Sequence, residues 1–355
     1  LKTYIAGQGD TLRKIAYFHE ISPYSLLKVN PWFTSLQDYV QPNTHVWIPT
    51  EKEPETAKEK PGSCLYEFGP KDLAMKLSML QALYPSRLSV KTIGESVCHQ
   101  PIYHMKIGKG NKHIFYSGGW HANEWMTSKF LVDWVEEVLR ALYSENLLYD
   151  YNLSQIFESI TLHVVPMVNP DGIELVHQGV YDGHPFAQTV RHINRSVERF
   201  DHWSANIRGV DLNHQWPAGW EEENLLSPQK PWPRHFGGPH PLSEPEVKAI
   251  YQLTNTYPFQ HVLTFHSQGQ LIYWGYRHKE PKESEEMARK LAVKSSYTPV
   301  HTAESDAGYK DWFIQDFKRP GFTIEIGVGQ NPLPLSAYEE IWVNNVELAL
   351  EGLVL

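Results

Sequence analysis

Two rhythms of apolar residues divide the chain. Near the N terminus Tyr4 and Ile5 read as a short strand and residues 7–10 (GQGD) as a turn. Thr11 then opens a helix in which Leu12, Ile15 and Ala16 share one face. Ser22 can cap a second short helix, with Pro23 at its first position and Ser25 where Glu or Gln would complete a capping box. Leu26, Leu27 and Val29 follow, Asn30-Pro31 stops that helix, and residues 45–48 form a closing strand. Residues 1–50 therefore predict a small βααβ unit, an interaction module or a packing appendage. Residues 51–62 are charged, proline-bearing and free of large apolar side chains, which is a linker composition.

From residue 63 to residue 355 the pattern is that of a larger domain. Leu73, Leu77, Leu80 and Leu83 recur at helical spacing over 72–84, and alternation over 90–93, 102–107 and 114–116 predicts strands. A long helix is expected over 125–143. Residues 159–168, 261–265 and 322–326 are nearly apolar throughout, as strands buried on both faces are. Helices are expected over 244–253, 281–295 and 336–350. Such alternation predicts an α/β fold whose mixed sheet is covered on both faces. The stretch 178–235 is weakly periodic and rich in His, Arg, Trp and Pro, and segments of this kind often wall a substrate site.

Composition excludes some function classes. A formal charge of −9, with no stripe of Lys and Arg, argues against nucleic-acid binding. No run of 18 apolar residues is present, so no membrane-spanning helix is expected. Cys64 and Cys98 are too few for a metal cluster; they either pair in an exported protein or stay two thiols. The chain opens at Leu1 without a charged n-region and apolar h-region, as a processed protein would, which leaves secretion open.

The candidate chemistry gathers where buried strands end, the place where an open α/β sheet forms its crevice. His121 and Glu124 follow the strand at 114–116 through a Ser-Gly-Gly turn, and can converge on one metal ion. Asn169-Pro170-Asp171-Gly172 follows 159–168, His266 follows 261–265, and Glu325 sits within FTIEIG. Burying a lone carboxylate costs several kcal/mol, so Glu325 must face a polar site, an ion or an arginine. His121, Glu124 and His266 make a His2Glu set, a catalytic zinc arrangement with a fourth position for water. Glu325 is then the natural base.

Two resemblances follow from these residues. YIAGQGDTLRKIAYFHEISPYSLLKVNP and QPNTHVWIP resemble a LysM module, which implies binding of N-acetylglucosamine-containing glycan by residues 1–50. The large domain resembles the zinc carboxypeptidase family, through HANE at 121–124, NPDG at 169–172, RGVDLNHQWPAGW at 208–220, LTFHSQG around His266 and FTIEIG around Glu325. That resemblance implies an eight-stranded mixed sheet between helices and one Zn2+ per chain held by His121, Glu124 and His266. It also implies a catalytic Glu325.

The departures carry information of their own. Exopeptidases of the family follow the Asn of this motif with Arg, and the pair holds a terminal carboxylate; here Asn213 is followed by His214. An imidazole is a poorer bidentate clamp than a guanidinium. The oxyanion arginine has no clean counterpart: Arg208 is the candidate, with Arg191, Arg195 and Arg199 as alternatives. The mobile tyrosine is unmatched, Ala303 standing at its place; Tyr309 is a candidate pocket residue. Lys310 is either a specificity cation or a surface lysine.

The combination resembles bacterial γ-D-glutamyl-L-diamino acid endopeptidases. It implies cleavage of the γ-D-glutamyl–diamino acid bond (diaminopimelate or Lys) in peptidoglycan stem peptides, at an extracellular or cell-wall location that could include spores. The alternatives are a metallocarboxypeptidase acting on ordinary peptides and a non-catalytic wall-binding protein.

Overall fold

The computed structural model describes residues 2–7, 10–19, 21, 26, 29–33, 40–49, 67–303 and 305–355. The expected cap at Ser22, Pro23 and Ser25, together with Leu27, the linker 51–62 and Cys64, lies outside the described residues. In the N-terminal unit β1 (Lys2–Ile5) pairs antiparallel with β2 (His45–Ile48), Tyr4 opposite Val46. Helix Leu12–Phe18 turns Leu12, Ile15 and Ala16 onto Leu26, Val40, Val46 and Ile48, the face expected from their spacing. Thr11 Oγ1 accepts from Lys14 N–H at 3.2 Å, a local cap at the point where the helix begins. The buried amide of Asn30 closes the unit: Nδ2 donates to Leu26 O and Trp47 O, and Oδ1 accepts from Trp47 N–H, all within 2.8 Å. Lys14 Nζ reaches Glu340 Oε1 of the large domain at 2.9 Å.

The large domain is built on one eight-stranded sheet in the order β3-β4-β6-β5-β7-β10-β8-β9. Its strands are β3 (Leu88–Glu95), β4 (Pro101–Gly108), β5 (Lys112–Ser117), β6 (Ile160–Val165), β7 (Phe259–His266), β8 (Leu271–Tyr273), β9 (Thr298–Val300) and β10 (Gly321–Glu325). The central strands β6, β5, β7 and β10 run parallel, while β3–β4, β4–β6 and β8–β10 pairs are antiparallel. Six strands coincide with apolar stretches of the sequence. The other two, β8 and β9, are three residues each and lie at the sheet edge, where Pro299 is tolerated because its missing N–H faces no neighbour. Pieces this short leave no periodic signal to read.

Helices cover both faces. On one, helix Trp125–Ser144 has fifteen of its twenty residues buried, and with helix Tyr338–Glu351 it packs Phe130, Trp134, Trp342 and Val346 onto Tyr116, Leu263 and Ile324. A helix so deeply enclosed must pair its charges: Lys129 Nζ lies 2.9 Å from Asp133 Oδ2, which also accepts the Tyr338 hydroxyl. On the other face, helices Pro245–Thr256 and Tyr309–Phe317 bring Val247, Ile250, Trp312 and Phe313 against Phe115, Phe259 and Val262. Each such side chain contributes roughly 1.5–3 kcal/mol by leaving water. Within 178–235 the chain makes short helices, Ala187–Ile193 and Trp220–Leu226, and a single 3-10 turn, Leu212–His214, joined by irregular segments. No helix among the described residues is long and apolar enough to cross a membrane.

The chain leaves β5 for β6 on one side and later returns to β7 on the other. The carboxyl ends of β5 and β7 therefore flank a topological switch point, where the two connections diverge and open a crevice.

Candidate metal centre and active site

The site starts at the end of β5. Ser117 leads into Gly118 and Gly119; the latter has φ +60, and a Cβ on it would collide with Ser128 Oγ. Thr127 Oγ1 accepts Gly119 N–H and donates to Glu124 O, both at 2.8 Å, which folds the turn back over the start of the long helix. NPDG supports it from behind. Asn169 N–H donates to Gly119 O, its side chain donates to Trp120 O and Ala205 O, and Asn169 Oδ1 caps Gly172 N–H. Asp171 accepts from Ser96 Oγ and Cys98 N–H. This motif is thus scaffolding. The half-buried Cys98 thiol, next to Asp171, is pushed up to about 12 by burial and by that carboxylate.

The turn delivers His121 and Glu124 to the crevice, and β7 ends on His266. His121 Nδ1 lies 2.9 Å from Glu124 Oε1, His266 Nδ1 lies 3.2 Å from Glu124 Oε2, and the two Nδ1 atoms are 3.4 Å apart. Glu124 and His266 are buried. Ser267 N–H donates to Glu124 Oε2 at 3.1 Å, and Asn331 Nδ2 reaches Oε1 at 3.4 Å while also donating to Ser267 O. Two imidazole nitrogens facing each other across one buried carboxylate form a convergent donor set. The set suits a zinc ion by donor type and number. His121, Glu124 and His266 are the residues that would hold it.

Charge is tightly organised around this set. Burial works against the Glu124 carboxylate, but His121 and His266 hold it below the ordinary range. His121 is raised in spite of burial, by Glu124 and then Asp211. Glu325 ends β10 directly across from His266 in the parallel register, so both side chains emerge on the same face. Burial first, and the Glu124 charge second, push its carboxyl up to about 8. A cation beside Glu124 would cancel the second cause.

Sequence reasoning passes over Asp211 and Asn331. Asp211 Oδ1 lies 3.2 Å from His121 Nε2, and its Oδ2 lies 3.2 Å from His214 Nδ1 and accepts from His235 N–H. Its place at the head of the DLN motif is the one signal that could have found it. Asn331 stands in a polar turn with no pattern to mark it. A cavity of about 500 Å³ opens alongside, lined by Trp125, His177, Arg199, Asp201, Asn331 and Pro332.

The remaining expected residues are placed variously. Asn213 Oδ1 accepts from Tyr309 N–H at 3.1 Å, so it helps to begin helix Tyr309–Phe317. His214 is buried between Asp211 and Glu223, its Nε2 3.5 Å from Glu223 Oε1. Burial pulls its pKa down, but Asp211 and Glu223 outweigh it and bring it to about 9. The Arg208 side chain is 48% exposed and its Nη1 lies 3.4 Å from Glu244 Oε2. Among the alternatives Arg191 pairs with Asp182, Arg195 lies over Trp232, and Arg199 pairs with Asp201.

Two expectations need correcting. Tyr309 does not line an open pocket: it is buried, stacks on Trp120 at 5.5 Å, and its hydroxyl meets Thr254 Oγ1 at 3.0 Å. Lys310 is neither a surface lysine nor a pocket cation, for its Nζ is buried on Gly275 O at 2.7 Å and Asp311 Oδ1 at 2.5 Å. Both begin a helix whose first six residues, polar and apolar alike, are all buried, so neither side chain reaches solvent.

Comparison with known proteins agrees with this geometry. The zinc carboxypeptidase family model (Peptidase_M14) matches residues 73–347. The chain is 43% identical over 279 residues to gamma-D-glutamyl-L-diamino acid endopeptidase 1 of Lysinibacillus sphaericus, covering 79% of this chain and 70% of that protein. It is 27% identical over 262 residues to carboxypeptidase B of Rattus norvegicus, covering 68% and 59%. In structure it resembles bovine thrombin-activatable fibrinolysis inhibitor in complex with tick carboxypeptidase inhibitor, with a TM-score of 0.65 and 21% identity over 82% of this chain and 97% of that one. With a buried His–Glu–His metal-binding set at the carboxyl ends of the central strands, the chain belongs to the zinc carboxypeptidase family and is a zinc metallopeptidase.

Proposed function

We propose that the protein hydrolyses the γ-D-glutamyl–diamino acid bond of peptidoglycan stem peptides. His121, Glu124 and His266 would hold a zinc ion, which would supply Lewis-acid polarisation of the scissile carbonyl and acidification of the attacking water. Glu325 takes the proton from that water and returns it to the leaving amine. Asp211 holds the His121 ring with its Nε2 proton in place, so that Nδ1 is free for the metal. Arg208, whose Nη1 lies 3.4 Å from Glu244 Oε2, is the cation we propose for the developing oxyanion.

The observation that carries the substrate reading is the position of His214. Exopeptidases of the family are expected to clamp a terminal carboxylate with Arg at this place. Here the imidazole is buried and its charge is already balanced by Asp211 and Glu223. A site so arranged offers little to a free C-terminal carboxylate. The similarity to the Lysinibacillus endopeptidase supports the same substrate class.

Residues 1–50 are assigned to glycan binding as a LysM-like module, joined by 51–62 to the catalytic domain of 63–355. Trp32 and Trp47 support this reading: they pack edge to face at 4.9 Å and remain 48% and 43% exposed, an aromatic surface suited to a sugar ring. Holding the enzyme on glycan raises local substrate concentration without altering the chemistry. The implied location is extracellular or wall-associated.

Mass spectrometry of defined muropeptides, incubated with and without chelator, tests the assignment. Cleavage between γ-D-Glu and the diamino acid that chelator abolishes is the expected result. Removal of C-terminal residues from ordinary L-peptides, with muropeptides untouched, would overturn it in favour of a carboxypeptidase. Glycan binding with no hydrolysis at all would indicate a non-catalytic wall protein.

A further inference from the structure

Away from the catalytic crevice, three further side chains converge. His278, Glu280 and His301 each offer a ligand atom, and these atoms all lie within 4.8 Å of one another. We propose that they form a second metal site, for a divalent transition-metal cation of the zinc type.

Each of the three is held in place by its neighbours. Glu280 Oε2 accepts Tyr276 N–H at 2.8 Å, which leaves Oε1 directed at His301 Nε2, 2.7 Å away. His301 is anchored through its carbonyl, which accepts Gly275 N–H at 2.6 Å, and through its ring, which meets Trp274 edge to face at 4.6 Å. His278 reaches the group from a turn closed by Lys279 N–H to Tyr276 O, in which Arg277 and His278 both adopt left-handed backbone, φ 48 and 57. L residues other than Gly take that conformation reluctantly. The turn brings the His278 ring nearly parallel to that of His301, with centroids 5.0 Å apart.

A plain ion pair would need one imidazole and one carboxylate. The second imidazole, brought in by a strained turn, is what a metal site requires and an ion pair does not. Two nitrogen donors and one carboxylate oxygen select zinc, nickel or copper rather than calcium or magnesium, which favour oxygen. His278 is exposed, so water can complete the coordination. The set shares no residue with the catalytic one, and it differs in exposure, being half open where the catalytic set is enclosed.

A cation here would join the turn after β8 to the residue after β9. Arg277, beside His278, also pairs with Asp306 and Glu222, and Asp306 N–H donates to Glu223, the residue that meets His214. The site therefore clamps the outer end of a contact chain that runs to Asp211 and the catalytic histidines, and acts as a structural fastening.

The test is metal stoichiometry of the full chain, independent of any hydrolysis. Protein stripped with chelator and reloaded with Zn2+ is dialysed and counted by mass spectrometry, for wild type, His278→Ala, Glu280→Gln and His121→Ala. His278 is exposed, so its replacement leaves the fold intact, which circular dichroism verifies. His278→Ala and Glu280→Gln should each retain one Zn2+ fewer than wild type, while His121→Ala still retains the ion at the second site. Equal zinc content in wild type, His278→Ala and Glu280→Gln would overturn the proposal.

Discussion

Asp211 stands with one carboxylate oxygen 3.2 Å from His121 Nε2, on the side of the ring opposite Glu124. The contact sets which nitrogen of His121 carries the proton and which is left to bind metal. Asp211→Asn should keep the fold while weakening zinc affinity or kcat/KM by about 10–100-fold. Competition against a chromophoric chelator, together with muropeptide turnover, measures both.

Glu325 is separated from the donor set in role though not in place. Glu325→Gln keeps the size of the side chain and removes the base. Hydrolysis should fall by at least about 10²-fold with zinc content unchanged. Full activity in that variant would remove Glu325 from the mechanism.

His214 makes an alkaline prediction. Its folded pKa, about 9, lies above its ordinary value of 6.5 because Asp211 and Glu223 outweigh burial. The folded state holds the proton more tightly than the unfolded one. The stabilisation is therefore complete below pH 6.5 and is lost as pH rises through about 9. In chelated protein, urea midpoints should decline across this window for wild type, and decline less for His214→Asn.

An acid prediction comes from the opposite situation. His104, His163 and His113 form a chain across β4, β6 and β5, with 2.9 Å between successive ring nitrogens, and the His163 ring lies 4.3 Å from that of Tyr257. Burial foremost, with nearby His and Lys charges, lowers all three, His104 to about 4 and His163 to about 2. These groups stay neutral in the fold. Their stabilisation is present above pH 6.5 and lost as pH falls through 4 and below. Melting temperature should drop over this range, and His163→Gln, which cannot take up the proton, should flatten the drop.

Much of the site is legible in the sequence because its residues sit where strong patterns end. The apolar runs that become β5, β7 and β10 are unmistakable, and His121, Glu124, His266 and Glu325 stand at their carboxyl ends. Tyr309 and Lys310 lack the same support. Helix Tyr309–Phe317 is nine residues long and carries polar groups on its buried side, so no periodicity announces which way those two side chains turn. Asp211 and Asn331 carry no local signal beyond a motif position, since each is defined by a partner far away in the chain.

The sequence by itself determined the alternation of buried strands and helices, and with it the crevice and the four groups that border it. Those are local properties: side-chain period, turn chemistry and the cost of burying a carboxylate. Tertiary structure alone decided the partners. Which oxygen of Asp211 faces His121, how His214 is neutralised by Glu223, and how His278 meets Glu280 and His301 all depend on contacts between distant segments. Such contacts arise only when the sheet brings its loops together, and no pattern within one segment encodes them.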